Sequence, residues 1–367
     1  MGRRRKTVAA AVAVLVAVEL LVVACSPVRT VEAVRLLRDL SDPPAAALGA
    51  VTRQEIAGPA DLYRGPDAPE AALLVVPGAA EAGRRDGRLV AFAADLARAD
   101  FLVMVPELAG SDPLRVSAAD AEAVAAAVLR LTEAAGVPRV GLVGVSYAAG
   151  PALLAALRPE VAERVAFVAV IGGYHDITAA VTYMTTGFYA APGGVWVRGP
   201  VDDRARWLFL RANADRVAPA DTALLRAIAE RRLRDPLAPV DGLTGDLGPE
   251  GRAVWRLLSN DDPEAVPELI AALPAGLRQE IAALDLAGRD LSGLTADVVL
   301  IHGRDDPLVP HTESAALAAR LGERADLFVV DGLVHVDVGD LGVGDMVALV
   351  RAAYRLLTLR DAAPDPA

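Results

Sequence analysis

Ser146 stands in a sequence context that suits a nucleophile. The apolar run Val140–Val145 before it predicts a buried strand, and the Ala-rich segment after it predicts a helix. Small residues, Gly144 and Ala148, lie two positions before and two after the serine. A sharp strand-to-helix turn brings main chain close to both positions, so bulky side chains there would block it. The turn would expose the hydroxyl at a helix N-terminus, where backbone N–H groups stabilise developing negative charge.

A serine after a strand has a second explanation, as a helix N-cap, and an Ala- and Gly-rich chain produces such a motif by chance. Two later segments favour the nucleophile. With them, the chain resembles the serine α/β-hydrolases, an esterase- and lipase-like family, from about Thr52 to Leu357. The three motifs follow that family's order of nucleophile, acid and base. Ala148 departs mildly from the family, which most often has Gly there.

The segment from His302 to Pro310, HGRDDPLVP, is similar to the strand and loop that carry the family's triad acid. By this resemblance the acid is Asp306 and not Asp305. A buried carboxylate is needed there to fix the tautomer of the base and to stabilise its imidazolium. The alternative for a strand followed by Gly, Asp and Pro is a turn with local Asx hydrogen bonds.

His335 is the candidate general base of this resemblance. It follows the last predicted strand, Asp326–Val330, and the chain has only four histidines. His302 lies inside the acid motif and His311 begins the next helix, which leaves His335 in the position of the base. Val334 stands where the family usually has Gly. A packing or surface histidine is the alternative.

The turn Pro77–Gly78–Ala79 follows the first strand of the predicted core. In the resembled family this loop and the residue after the nucleophile supply the oxyanion donors, which implies the backbone N–H groups of Ala79 and Tyr147. Pro77 replaces the usual His and has no N–H, so the donor must lie beyond it. An ordinary strand-ending Pro-Gly turn is the alternative.

The order of apolar segments predicts an α/β fold with a doubly wound, mostly parallel sheet. A hairpin of Thr52–Ile56 and Ala60–Arg64 precedes the alternation. Ser117 and Asp120 suggest a capping box for the helix predicted over Ala118–Ala135. The alternating elements are the strands Ala72–Val76, Phe101–Val105 and Val140–Val145, with the helices Asp86–Ala99 and Ala118–Ala135 between them.

Regular alternation stops after Val165–Ile171 and resumes at Asp297, a gap too long for a loop. Helix-like segments in it, including one over Pro263–Leu284, predict a helical cap of residues 173–294 between core parts 51–172 and 295–360. The cap holds all three tryptophans of the chain. Its aromatics would suit an apolar portion of a substrate, or form the cap's own core. His175 either touches substrate or packs against the cap.

The N-terminus predicts an export segment. Gly2 and the basic residues at positions 3–6 precede the apolar run Thr7–Ala24, and VVAC ending at Cys25 resembles a bacterial lipobox. This implies lipidation of Cys25, a signal over residues 1–25, a tether with a short helix over 26–50, and an exported domain anchored in the cell-envelope membrane. An uncleaved signal anchor is the alternative, which Glu19 in the apolar run disfavours.

Composition excludes several classes of binding partner and cofactor. A net charge of −11 argues against nucleic acid. Lys6 is the only lysine, which excludes a pyridoxal Schiff base and a phosphate-binding loop in the mature domain. The sequence contains no cluster of Cys and His residues that would predict a metal site. Gly141-x-x-Gly144 lacks the spacing of a dinucleotide-binding motif, so no cofactor is expected.

The sequence therefore predicts an exported, membrane-tethered serine hydrolase that acts on a small acyl substrate, an ester or a related compound with an apolar portion. Ser146, His335 and Asp306 would be nucleophile, base and acid. The alternative is a catalytically silent protein of the same fold that binds a ligand or partner at the cell envelope. That alternative depends on the departures at Pro77, Ala148 and Val334.

Overall fold

The computed structural model describes residues 26–41, 48–78, 82–108, 115–335, 337–339 and 341–364. Its main sheet has eight strands in the order β1-β2-β4-β3-β5-β6-β9-β10. In chain order the strands are β1 (Thr52–Ile56), β2 (Ala60–Arg64), β3 (Ala71–Val76), β4 (Phe101–Pro106), β5 (Val140–Val145), β6 (Val165–Ile171), β7 (Phe188–Ala190), β8 (Trp196–Arg198), β9 (Asp297–Gly303), β10 (Ala325–Val330), β11 (Leu333–Val334) and β12 (Asp337–Val338).

The pairing of these strands confirms the predicted α/β class with a mostly parallel sheet. From β4 through β3, β5, β6 and β9 to β10, each neighbouring pair is parallel. The predicted hairpin is present at the edge, where β1 pairs antiparallel with β2, and β2 pairs antiparallel with β4. Parallel strands place all their carboxyl ends at one edge of the sheet, which is where loops can converge on a ligand.

The helices lie on both faces of the sheet and in the segment between β6 and β9. They are α1 (Pro27–Ser41), α2 (Gly87–Arg98), α3 (Asp120–Ala135), α4 (Ala149–Ala156), α5 (Ile177–Thr186), α6 (Ala205–Asn213), α7 (Pro219–Arg234), α8 (Asp241–Thr244), α9 (Pro249–Leu258), α10 (Val266–Ala271), α11 (Ala275–Leu284), α12 (Thr312–Leu321) and α13 (Val343–Asp361). One hydrophobic cluster joins the sheet to α3, α4 and α12, and a second joins it to α1, α2 and α13.

Strand β3 shows why the core strands are apolar without interruption. Its six residues are all buried. Leu74 and Val76 lie in the cluster with α3 and α4, whereas Leu73 and Val75 lie in the cluster with α2. Successive side chains of a strand point to opposite faces, so a strand covered on both sides has no polar position.

The segment between β6 and β9 folds around a hydrophobic cluster of its own. Trp207, Leu225, Ile228 and Val254 are buried members of this cluster, and the rings of Trp207 and Trp255 stack with centroids 6.1 Å apart. These two tryptophans therefore belong to the interior of the cap. A small hairpin of β7 and β8, which the sequence did not indicate, also lies in this segment.

Two local predictions were wrong. The Ser117–Asp120 capping box is absent: Ala119 is the N-cap of α3, and the Ser117 hydroxyl instead accepts from the Ala119 N–H at 3.3 Å. The single helix predicted over Pro263–Leu284 is a short turn followed by α10 and α11. Pro274 stands at the start of α11, where proline's missing N–H is tolerated, but it ends any continuous helix from the N-terminal side.

Two predicted features lie outside the described residues, the signal segment with Cys25 and the backbone donor at Ala79. From Ser26 onward, no helix in the described ranges is both long and apolar enough to cross a membrane.

Candidate active site

Ser146 directly follows β5 and has a φ of 55°, in the left-handed region that a residue with a side chain rarely adopts. Strain of this kind persists only where the surroundings hold it, and it concentrates at functional sites. The chain then makes one 3₁₀ turn, Ser146–Ala148, before α4 begins. This is a sharp strand-to-helix elbow with the serine at its tip.

The two small residues of the elbow, Gly144 and Ala148, are small for different reasons. A Cβ on Gly144 would lie 2.9 Å from the Ala148 carbonyl oxygen and from the Ala149 Cα, so only glycine fits there. The methyl group of Ala148 is itself fully buried in the core. The departure from the family's usual glycine at Ala148 is therefore compatible with the elbow.

The turn after β3 lies against the elbow. A Cβ on Gly78 would be 3.0 Å from the Val145 carbonyl oxygen and 3.6 Å from the Ser146 Cβ. Pro77 and Gly78 thus lead the chain directly past the serine. The predicted oxyanion donors are the next residue, Ala79, which lies outside the described residues, and Tyr147, which is buried beside the elbow.

Asp306 and His335 are hydrogen-bonded to each other. The His335 Nδ1 lies 2.7 Å from the Asp306 Oδ2, with the histidine side chain 12% exposed and the carboxylate fully buried. The other carboxylate oxygen accepts the backbone N–H groups of Leu308 and Val309 at 2.8 and 3.0 Å. The neighbouring Asp305 is exposed. The loop therefore presents Asp306 to the histidine.

Electrostatics keep the Asp306 carboxylate ionised. Burial alone would raise the pKa of Asp306, but hydrogen bonds from His302 and His335 outweigh it and hold that pKa well below its usual range. Because the carboxylate stays ionised, the Nδ1 of His335 carries the proton that it donates. The Nε2 of the same ring is then free to accept one.

His302 is a second histidine on the same carboxylate, and the sequence analysis gave it no role. Its ring is fully buried, with Nδ1 2.7 Å from the Ser314 hydroxyl and Nε2 3.0 Å from the Val309 carbonyl. A carbonyl only accepts, so Nε2 carries the hydrogen that it donates to Val309, and the same nitrogen lies 3.5 Å from the Asp306 Oδ2. The His at the start of the acid motif could have suggested this.

Strand pairing brings the serine to the same edge as the acid and base. Val145 is paired with Ile171, so Ser146 and Gly172 are the residues that directly follow the carboxyl ends of adjacent strands. Gly172 has a φ of +61°, and a Cβ on it would lie 3.0 Å from the His335 Nδ1 and 3.2 Å from the Asp306 Oδ2. The His335 ring therefore packs against the residue next to the elbow.

The remaining histidines lie elsewhere. His175 is 7% exposed, its buried ring Nε2 has no hydrogen-bond partner among the residues that the structure describes, and burial lowers its pKa. Its backbone N–H donates to the Glu313 carboxylate at 3.0 Å. This placement favours the packing interpretation of His175. His311 contacts the ring of Tyr189 edge-on at 5.9 Å.

In the part of the chain that the structure describes, no group of His, Cys, Asp and Glu side chains is arranged to hold a metal ion.

The mostly parallel sheet, with its candidate site at the carboxyl edge, defines a doubly wound α/β protein. The model of the alpha/beta hydrolase fold family matches residues 71–337. This span is more than half of the 367 residues, so the chain belongs to the alpha/beta hydrolase fold family. No curated protein matches the chain.

Solved structures show the same architecture at low identity. A protein of Legionella pneumophila, named only as a hydrolase candidate, is 13% identical with a TM-score of 0.51, covering 91% of this chain and 95% of that one. A serine hydrolase from the hydrocarbon-degrading bacterium Cycloclasticus zankles is 14% identical with a TM-score of 0.43, covering 84% and 96%. A 2-hydroxy-6-oxo-6-phenylhexa-2,4-dienoate hydrolase of Rhodococcus is 18% identical with a TM-score of 0.38, covering 78% and 92%. The similarity to the Legionella protein shows the fold alone.

Proposed function

We propose that this protein is a serine hydrolase that cleaves a carboxylic ester or a related acyl compound. One observation carries the proposal. An imidazole, hydrogen-bonded through Nδ1 to an ionised and buried carboxylate, packs against Gly172 at the strand end beside the left-handed Ser146. If the His335 Nε2 reaches the Ser146 hydroxyl from this position, a strained serine and a histidine oriented by a carboxylate form the arrangement needed to activate a hydroxyl.

The chemistry follows from these groups. Ser146 Oγ attacks the acyl carbon while its proton passes to the Nε2 of His335, and Asp306 stabilises the imidazolium. The carbonyl oxygen becomes an oxyanion held by the amides of Ala79 and Tyr147. When the C–O bond to the leaving alcohol breaks, the imidazolium gives the alcohol its proton. Water, deprotonated by the same imidazole, then attacks the acyl-serine. The acyl–Oγ bond breaks, the imidazolium returns the proton to Ser146 Oγ, and the acid is released.

The aromatic side chains of the cap favour a substrate with an apolar portion. Tyr183 donates its hydroxyl to the Asp306 carbonyl at 3.0 Å, and its ring meets Tyr189 edge-on at 6.0 Å. Aromatic side chains of the cap thus lie directly against the acid loop. An apolar wall beside the reacting atoms favours acyl substrates with hydrocarbon character and limits water.

A fluorophosphonate probe tests the activity. It reacts covalently with an activated serine, so purified wild-type protein is expected to be labelled, whereas Ser146→Ala is expected to remain unlabelled. Ser259→Ala, which removes a hydroxyl bonded to the Trp255 carbonyl in the cap, serves as the matched control and should keep its label. A folded wild type that takes up no label contradicts the proposal and favours the catalytically silent binding protein.

We also propose that the domain is exported and held at the cell-envelope membrane through a lipid on Cys25. Ser26 alone separates this cysteine from α1, on which Val28, Val31 and Val34 are 69, 62 and 49% exposed. Residues spaced by three share one side of a helix, so a lipid at Cys25 would bring this apolar side to the bilayer surface.

Mass spectrometry of the N-terminus tests the tether in protein made by a bacterial host that exports it. A diacylglyceryl group on Cys25 as the first residue is expected, with loss of the lipid in Cys25→Ala. An intact Met1 on membrane-bound protein would instead indicate the uncleaved signal anchor.

A further inference from the structure

Tyr147 has its backbone in the elbow and its ring in the seam between the core and the cap. The side chain is 8% exposed and packs in one cluster with Tyr174, Leu284 and Val309. Leu284 ends a helix of the cap, whereas Val309 belongs to the acid loop. The residue after the candidate nucleophile is therefore held from the side of the cap as well as from the sheet.

The Tyr147 hydroxyl is bound to the segment before α3. It accepts the backbone N–H of Ser117 at 2.7 Å and lies 2.9 Å from both the Ser117 carbonyl and the Asp120 Oδ2. Burial raises the pKa of Tyr147, so the phenol keeps its proton and donates it to one of these acceptors. The hydroxyl therefore both accepts and donates a hydrogen bond.

The cap binds the same segment from the other side. The Glu280 Oε2 accepts the backbone N–H of Ala118 at 2.8 Å, and its Oε1 pairs with Arg216 at 3.0 Å. Arg216 also donates to the Val116 carbonyl. Glu280 lies on α11 and Arg216 follows α6, so two separate parts of the cap meet on residues 116–118.

We propose that the Tyr147 hydroxyl is a positioning contact through which the Arg216–Glu280 pair of the cap holds the oxyanion-binding amide of Tyr147 in place. This rests on the proposed serine hydrolase activity. The left-handed Ser146 stores backbone strain that the surroundings must hold. An anchor on the next side chain fixes the peptide that carries the donor, and a donor contributes only when it is aimed at the developing oxyanion.

The rate of fluorophosphonate labelling tests this without knowledge of the substrate, because phosphonylation also places an oxygen on the oxyanion donors. In the full-length protein, Tyr147→Phe keeps the ring and removes the hydroxyl. We expect the maximal labelling rate to fall about tenfold, with the half-saturating probe concentration within about threefold, because the loss falls on the transition state.

The Tyr174→Phe variant is the matched control. Tyr174 is equally buried in the same cluster, but its hydroxyl donates at 3.1 Å to the Leu284 carbonyl and not to residues 116–118. Its maximal labelling rate is expected to stay within about twofold of the wild type. An equal fall in both variants would reduce Tyr147 to a packing residue and overturn the proposal.

A double-mutant cycle tests the connection to the cap. Glu280→Ala is expected to lower the maximal rate about fivefold, and combining it with Tyr147→Phe should lower the rate little beyond Tyr147→Phe alone, since both act through one contact chain. Glu250→Ala is the control, because Glu250 accepts the Ala218 N–H at 2.8 Å within the cap. Multiplicative effects would overturn the coupling.

Thermal unfolding of each variant separates positioning from loss of the fold. If Tyr147→Phe does not fold, Glu280→Ala decides, since Glu280 is 29% exposed and outside the core. Wild type that labels at Ser146, with Tyr147→Phe or Glu280→Ala labelling equally fast, contradicts this inference alone. Wild type that does not label contradicts the proposed function, and the inference with it.

Discussion

The two halves of the candidate site are held in place by different means. On the nucleophile side, Ser146 is positioned by backbone, through a left-handed φ and a glycine at 144 that leaves no room for a side chain. On the acid–base side, Asp306 is positioned by hydrogen bonds, to two backbone amides and to His335, with His302 close by.

This difference predicts two kinds of sensitivity. A half built by backbone sterics does not tolerate an added carbon atom. A half built by buried hydrogen bonds tolerates little change of charge, because each unpaired buried group is costly. Residue Gly172 joins the halves, since it follows β6 beside the elbow and packs against the histidine ring.

The largest effect is expected where charge is removed from the acid–base half. Asp306→Asn should lower kcat on an activated ester about 10⁴-fold, because an amide no longer selects the histidine tautomer that accepts from serine. Asp305→Asn, at the exposed neighbour, should leave kcat within about twofold. Steady-state kinetics measure both, and the reverse order of effects would show that the acid has been misassigned.

The second-largest effect is expected at the first turn of α12. There Ser314 hydrogen-bonds His302 beside the acid, and Glu313 accepts the backbone N–H of His175 in the cap. Burial raises the pKa of Glu313 to about 7, against the opposing amides of Asp176 and His175. A folded-state pKa above the unfolded value means that the folded protein binds the proton more tightly. Stability should therefore fall as pH rises from about 4.5 to about 7, by up to about 3 kcal/mol, and then level off.

Urea unfolding at pH 5 and pH 8 measures this slope. Glu313→Gln cannot ionise and should remove most of it, whereas Glu323→Gln, at an exposed glutamate after the same helix, should retain it. An unchanged slope in Glu313→Gln would mean that other groups account for the pH dependence.

The third prediction adds one methyl group where the halves meet. Gly172→Ala should lower kcat about 30-fold, because its Cβ would displace the His335 ring and strain a residue with positive φ. Gly187→Ala incurs similar backbone strain at φ +76°, at the end of α5, without touching the ring. Equal losses of kcat in the two variants would argue that strain, and not the contact with His335, is responsible.

The smallest effect is expected at the outermost support of the acid. Ser314→Ala removes the hydroxyl that holds the His302 Nδ1. We expect about 1 kcal/mol lower stability and about fivefold lower kcat. Ser259→Ala, which removes a hydrogen bond to the Trp255 carbonyl in the cap, should change neither by much. An unaltered kcat in Ser314→Ala would show that Asp306 needs no help from His302.

Much of the core was predictable because its determinants are local. The apolar runs of β3, β4 and β5 predicted strands covered on both faces, and the structure confirms these elements within a residue or two. The elbow was readable because its steric demand falls on residues within two positions of Ser146. The catalytic roles of Ser146, Asp306 and His335 stay predictions, although the structure places the acid and base 2.7 Å apart.

Contacts between residues far apart in the chain could not be predicted from the sequence. Asp120 has the right spacing from Ser117 for a capping box, yet its carboxylate lies against the hydroxyl of Tyr147, 27 positions later. Glu280 was one more polar residue of a helix, and only the folded chain brings it to the Ala118 amide, 162 positions away. Likewise, only the folded chain shows that the His302 ring is held by the Ser314 hydroxyl of the next helix.

The sequence by itself determined the class of fold and the candidate residues, because periodicity and steric limits act between near neighbours in the chain. The tertiary structure alone decided which buried polar groups satisfy one another, and therefore how the cap connects to the elbow. Those hydrogen bonds depend on distances across the sheet edge, which the order of residues does not encode locally.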